Sequence, residues 1–197
     1  MKSKSLTISA IIIICFSVIG CGAQAIPQAE NEVEAAWAEV QNQYKRRADL
    51  IPNLVSVVKG YASHEKETLT AVVEARAKAT QTKVNFSDLN DGTMAKYQKA
   101  QGGLTSALGK LMVVVEKYPD LKANENFRDL QVQLEGTENR ITHARRKYIV
   151  AIKEFNNQIT VPPSSFTNSL FYHKTKKPQF QVENEDAIKE PPKVSFE

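Results

Sequence analysis

RRADLIPNLVSVVKGYASHEKETLTAVVEARAKA, residues 46–79, decides the fold. Extended back to Val33, its stripe runs Val33, Trp37, Val40, Tyr44, Arg47, Ile51, Leu54, Val58, Tyr61. The steps alternate between four and three, a period of about 3.5 that belongs to helices packed in a left-handed bundle. Beyond Glu65 the stripe resumes at Leu69, Val72, Ala75 or Arg76, and Ala79. Pro52 removes one helix hydrogen bond and crowds the carbonyl of Ala48. Because the stripe keeps its phase across Pro52, the reading is a kink between two nearly collinear pieces; the alternative is a new helix with Asp49 as its N-cap. A helical path from Val33 to Ala79 would run on the order of 70 Å.

Two further arms follow the same rule. Residues 82–92, TKVNFSDLNDG, carry the Asn, Asp, Ser and Gly of a loop. Tyr97, Gln101, Leu104, Leu108, Leu111, Val115 and Tyr118 form a second stripe, closed by Pro119 and Asp120. Gly102 and Gly103 weaken this helix by about 1 kcal/mol each relative to alanine. The stripe continues through them, so they are read as points of close helix contact. Phe127, Leu130, Leu134, Thr137, Ile141, Ala144, Tyr148, Ala151 and Phe155 form the third, with Asn124 or Asp120 as its cap and Asn156, Asn157, Pro162 and Pro163 at its end. The fold class is therefore all-α, an elongated antiparallel bundle of long helices in three arms, with a kinked first arm and an extended C-terminal tail. In the tail, Ser164 or Ser165 is expected to cap a short helix whose Phe166, Leu170 and Phe171 cover an end of the bundle. An extended strap follows, basic at Lys174, Lys176 and Lys177 and acidic at Glu183, Glu185 and Asp186.

Lys2 and Lys4 precede an apolar run from Leu6 to Ile19 and then Gly20-Cys21-Gly22-Ala23-Gln24-Ala25, the layout of an export signal. The run is shorter than the roughly 20 residues that span a bilayer as a helix. Val18-Ile19-Gly20-Cys21 resembles a bacterial lipobox, which makes Cys21 the lipidation site; several acyl chains hold a protein where one does not. Cleavage after Ala25 and a retained anchor helix are the alternatives. Residues 1–20 are read as signal peptide, 21–30 as a lipidated linker, 31–163 as the helical bundle and 164–197 as a tail with one short helix. Gly22 after the lipid-bearing cysteine favours the outer membrane in a cell with two membranes, because the usual retention signal there is an aspartate.

Composition removes several function classes. The chain has 26 basic and 22 acidic side chains, and loss of Lys2 and Lys4 leaves 24 against 22. The signs are interleaved, so there is no basic stripe for nucleic acid. With Cys15 and Cys21 the two cysteines, the bundle has no thiol for disulfides, zinc clusters or thiol catalysis. No phosphate loop, HExxH or GxSxG motif occurs, and no catalytic residues, cofactor or metal are expected. His64 with Glu67, and Glu135 with Glu138, only faintly evoke the carboxylate-bridged metal sites of helical bundles.

The polar residues singled out are Arg46, Arg47, Asp49, Glu65, Glu135 and Glu138. Arg47 lies on an apolar stripe, where an unpaired guanidinium is costly. Glu65 shares that stripe, and Glu135 and Glu138 flank Thr137 on another arm. Polar layers that join the arms and set their register are the structural reading; a ligand or partner site is the functional one.

Residues 46–79, then VVVEKYPDLKANENFRDLQVQLEGTENRITHARRKY (residues 113–148) and the closing PPKVSF (residues 191–196), resemble the LemA family of bacterial envelope proteins. The resemblance implies an elongated helical bundle fixed to a membrane by its N-terminus and facing away from the cytoplasm, and it imports no catalytic residues. Many relatives look as though they retain a transmembrane helix, whereas this chain has a short apolar run ending at Cys21. Ile149 also departs from the pattern, which usually has asparagine there. The expected function is a membrane-anchored envelope scaffold or interaction module. Its expected partners are the membrane, through the lipid anchor, other envelope proteins, and a second copy of the chain. The alternative is a carrier, chaperone or metal-binding bundle, with Pro52, Gly60, Gly102, Gly103 and Gly136 as hinges.

Overall fold

The computed structural model describes the backbone of residues 2–180 and the side chains of residues 24–180. The Cys21 side chain and the segment containing Glu183, Glu185, Asp186 and PPKVSF lie outside the described residues. The helices are α1 (Lys2–Tyr61), α2 (Lys66–Gln81), α3 (Asp91–Val115), α4 (Pro119–Ala123), α5 (Glu125–Thr160) and α6 (Ser164–Thr167), the last continued by a π-helical turn at Asn168–Tyr172. Among the described residues there is no strand, and no helix is long and apolar enough to cross a membrane.

The stripes become the core. α5, 36 residues long, extends roughly 54 Å and packs antiparallel to α1. Asn124 caps it by accepting from the Phe127 amide at 3.0 Å. Asn90 caps α3 in a reciprocal capping box with Thr93. Near its end the α5 seam passes through Ile152, which is buried, while Ala151 is half-buried.

The first arm differs from its expected course. α1 runs unbroken through Pro52, ends at Tyr61, and reverses over Ala62-Ser63-His64-Glu65, so that α2 returns antiparallel along it. The three expected arms are thus four: α1, α2, α3 and α5, up and down in turn. Buried Ala62 continues the α1 seam after Val58, while Tyr61 is exposed. Gly103 differs as well. A Cβ built there, or at Gly60 or Gly136, would meet nothing within 4 Å, so close helix contact does not explain these glycines.

Two apolar cores are stacked along the bundle. The upper one, at the end of the α1–α2 reversal, contains Ile51, Leu54, Val58, Val72, Leu104, Leu111, Leu121 and Phe127. The lower one contains Ile26, Val33, Trp37, Val40, Tyr97, Tyr148, Ile152 and Phe155. The 16 residues of α2 stop short of this lower half. The loop after α2 and the C-terminal strap take its place. The carbonyl of Val84 accepts from Trp37 Nε1 at 3.1 Å and from Gln41 Nε2 at 2.9 Å. Phe180 packs on Tyr148 and Trp37, with ring centroids 5.4 and 6.3 Å away, and Arg145 stacks over its outer face at 4.5 Å. The Tyr148 hydroxyl donates to the Pro178 carbonyl at 3.2 Å.

The short helix departs from its expected role. Pro163 stands at the N-cap position and Ser164 is the first helical residue, its hydroxyl donating back to the Val161 carbonyl at 3.2 Å. Ser164 and Thr167 face inward, while Phe166, Leu170 and Phe171 are exposed. The reason is periodicity: the small polar residues fit under the end of α5, which leaves the large apolar ones on the opposite side of the turn.

Burial holds the phenols of Tyr97 and Tyr148 far above their ordinary value of 10.0; for Tyr97 the neighbouring Tyr44 pushes the same way and Arg47 opposes it. Unfolded, both ionise near 10, while the folded chain keeps both protons. Their contribution is therefore complete below about pH 10 and is lost as pH rises above it, with a slope of about 1.4 kcal/mol per pH unit per tyrosine. Denaturant unfolding from about pH 8 to about pH 12 should show this alkaline fall. Tyr97→Phe and Tyr148→Phe should each make it shallower.

Candidate functional site

Between the two cores lies a polar layer organised by Arg47. The seven-residue rhythm of α1 puts Arg47 inward between Tyr44 and Ile51, and the side chain is only 2% exposed. Its Nη1 donates to Thr105 Oγ1 at 2.9 Å and to Glu138 Oε2 at 3.1 Å. Its Nη2 donates to the Gln101 carbonyl at 3.2 Å and to Gln101 Oε1 at 3.0 Å. The Tyr44 ring lies 5.1 Å from the guanidinium carbon. The Nε–H has no hydrogen-bond partner among the described residues. One planar cation thus joins α1 to α3 and α5 through four acceptors, a task suited to the fixed fork of arginine.

The fourth helix joins through backbone groups. Gln101 Nε2 donates to the Ala79 carbonyl at 3.2 Å, in the last turn of α2, where carbonyls lack helical partners. Arg76 Nε donates to the Ala48 carbonyl at 2.8 Å. Ala48 is the residue whose carbonyl Pro52 leaves without an amide donor. The proline therefore creates an acceptor inside α1, and an arginine of the returning helix occupies it. This pairing explains how α1 continues through Pro52.

The other residues singled out from the sequence are placed differently. Arg46 faces solvent. Asp49 pairs with Lys45 on the same exposed face at 3.1 Å. Glu65, in the α1–α2 turn, accepts from the Tyr118 hydroxyl at 3.0 Å, which fastens that turn to the end of α3. This bond to Glu65 holds the Tyr118 phenol above its ordinary range. Glu135 is exposed and accepts from Gln131 one turn earlier, away from Arg47. Of the six, only Arg47 and Glu138 come together. Thr105 and Arg76 belong to the layer without having been foreseen in it; the carbonyl freed by Pro52 was the signal that a donor was needed.

The layer can fix register, and its groups include no nucleophile beside a base. Among the described residues no three His, Cys, Asp or Glu side chains gather as a metal-binding group. A polar groove lies elsewhere, between α1, the loop at Asn85–Ser87 and the strap, with Glu30, Glu34, Gln41 and Lys174 among its walls.

These features define an all-α antiparallel bundle with a buried arginine layer at mid-height. The chain belongs to the LemA family, whose family model matches residues 36–196. It is 28% identical over 130 residues to Protein LemA of Metamycoplasma hominis, covering 66% of this chain and 56% of that protein. It is 26% identical over 152 residues to the magnetosome proteins MamQ 1 and MamQ 2 of Paramagnetospirillum magneticum, covering 68% of this chain and 56% of each relative. The chain thus spans little more than half the length of these relatives.

Three stability outcomes follow. Arg47→Ala should cost about 3 kcal/mol, because it leaves a cavity and strands the buried Gln101 acceptors. Glu138→Gln should cost less than about 1 kcal/mol, because that carboxylate is 51% exposed and three acceptors remain. Equal losses in chemical denaturation would mean that the ion pair, not the neutral acceptors, holds the layer. In a double-mutant cycle, Arg76→Ala should cost about 1 kcal/mol less in a Pro52→Ala background, where the restored amide satisfies Ala48.

Proposed function

We propose that this LemA family protein is a membrane-anchored scaffold of the cell envelope: a rod held at one end that presents its sides to other envelope proteins. The observation that carries this reading is the course of α1. Its backbone is one continuous helix past Cys21 to Tyr61, so the element that bears Cys21 also forms the spine of both cores. An anchor on that segment is thereby transmitted to the whole bundle without an intervening loop.

Lipidation of Cys21, placement facing the periplasm or the cell exterior, and docking by spacing complete the proposal. Val113, Val132 and Val150 are exposed on the sides of α3 and α5, where contacts along the rod can be probed. The interlocking of all four helices at the Arg47 layer supports a rod of fixed register more than a bundle that opens around a ligand. Association with magnetosomes is a property in the names of the MamQ relatives; for this chain the proposal extends only to an envelope membrane.

In cells, Cys21→Ser should abolish labelling by a palmitate analogue and move the protein from the membrane to the soluble fraction. Photocrosslinkers at positions 113, 132 and 150 of the unaltered anchor should give discrete protein adducts. A protein that stays in the membrane after Cys21→Ser would transfer the anchor to a retained helix. A membrane-bound protein with no adduct at any of these positions would overturn the scaffold reading.

A further inference from the structure

Phe166, Leu170 and Phe171, on the short turn of helix after α5, are 64, 65 and 65% exposed. Val161 just before them is also exposed. Such a cluster costs solubility unless something covers it. Its place in the rod identifies what that is. α6 packs on α1 and beneath the end of α5, with Asn168 Nδ2 donating to the Ile159 carbonyl at 3.4 Å. The chain then climbs back, and Lys174 meets Glu30 of α1 at 2.7 Å. The cluster therefore lies at the lower end of the bundle, on the side of Glu30 nearer the N-terminal segment.

Charge shows the same end from a second direction. In a chain that is 24% charged, no Asp, Glu, Lys or Arg occurs from Ser5 to Ala29, and none from Phe155 to Tyr172. These two stretches meet in space: Ile26 and Ile159 share the lower core. Among the described residues the lower end is thus a charge-free collar, bordered by Glu30, Glu154 and Lys174. Along α1, Ile26 lies about 10 Å beyond Ile19 and about 8 Å beyond Cys21. A bilayer headgroup layer is roughly 5–8 Å thick. Exposed Phe and Leu on an uncharged surface at that depth match the interfacial region of a membrane, where aromatic rings and apolar side chains enter the boundary between headgroups and acyl chains.

We propose that Phe166, Leu170 and Phe171 form a second membrane contact, inserted into the interface of the bilayer that holds the N-terminus. This inference rests on the membrane-anchored reading. A chain end at the membrane leaves a rod free to swivel; a second apolar contact beside it fixes the tilt and the face presented outward.

The test uses the full chain in vesicles of phosphatidylethanolamine and phosphatidylglycerol, with and without brominated acyl chains. Phe171→Trp places an indole in the cluster, at a site exposed enough to leave packing unchanged. Val113→Trp places one on the upper half, and the unsubstituted protein supplies the Trp37 background. After co-flotation, the indole from Phe171→Trp should lose its emission in brominated vesicles, while the one from Val113→Trp should keep it. Flotation with equal emission from both would overturn the second contact and leave the anchor standing. Failure to float would overturn both. A blue-shifted indole from Phe171→Trp that bromine does not quench, with a doubled mass, would assign the cluster to a second copy of the chain instead.

Discussion

One guanidinium sets the register on which the rest of the bundle depends. Apolar stripes with a repeat of about 3.5 residues interlock equally well after a shift of one heptad, so two greasy cores alone do not say which turn of α1 faces which turn of α5. Arg47 does. It is satisfied only where Gln101 and Thr105 of α3 and Glu138 of α5 stand at its own height, and a slipped helix would leave its charge in an apolar core. The cost of misplacement, rather than the attraction within the pair, is the selecting force.

Pro52 works through the same logic at backbone level. Within a helix it usually signals damage, yet here the damage is a carbonyl that only a neighbouring element can satisfy. Arg76 meets that need, so a local defect in α1 becomes a bond between α1 and α2. The two arginines act one residue apart along α1, Arg47 through its own side chain and Arg76 on the carbonyl of Ala48. That proximity explains why Arg47 and Pro52 stand close together in this stretch; Arg46 and Asp49, on the exposed face, take no part in it.

Much of this was legible in the sequence. The stripes named most of the buried residues of α1, α3 and α5 but passed over Ile26, Ala48, Met94, Ala107, Ile152 and Ile159, and Arg47 was conspicuous as the charge among them. The reversal at Ala62–Glu65 was not legible, for a physical reason: a tight turn of four residues advances the pattern by the same step as one turn of helix. Phase continuity therefore cannot separate a straight rod from a hairpin. Glu138 was found beside Thr137, but Glu135 was equally eligible, since both flank the same seam position and only the rotation of α5 decides between them. Val84 and Phe180 carried no periodic signal at all, because loop and strap residues reach the core through single contacts. Phe166, Leu170 and Phe171 were read as a lid by hydrophobicity alone; which side of a one-turn helix faces inward depends on the small residues, Ser164 and Thr167.

The division into two cores has a consequence for the order in which the chain completes itself. Every buried residue of the upper core has been supplied once the chain reaches Leu134. The lower core still needs α5 to Ile159 and then the strap, whose Lys174 joins Glu30 across 144 positions. Non-local closures of this kind come late, because the entropy of joining distant segments must be met before the contact rewards it. The half nearer the N-terminus is then the half sealed last. Trp37 meets Tyr97 and Tyr148 before that, and gains Phe180 only when the strap docks.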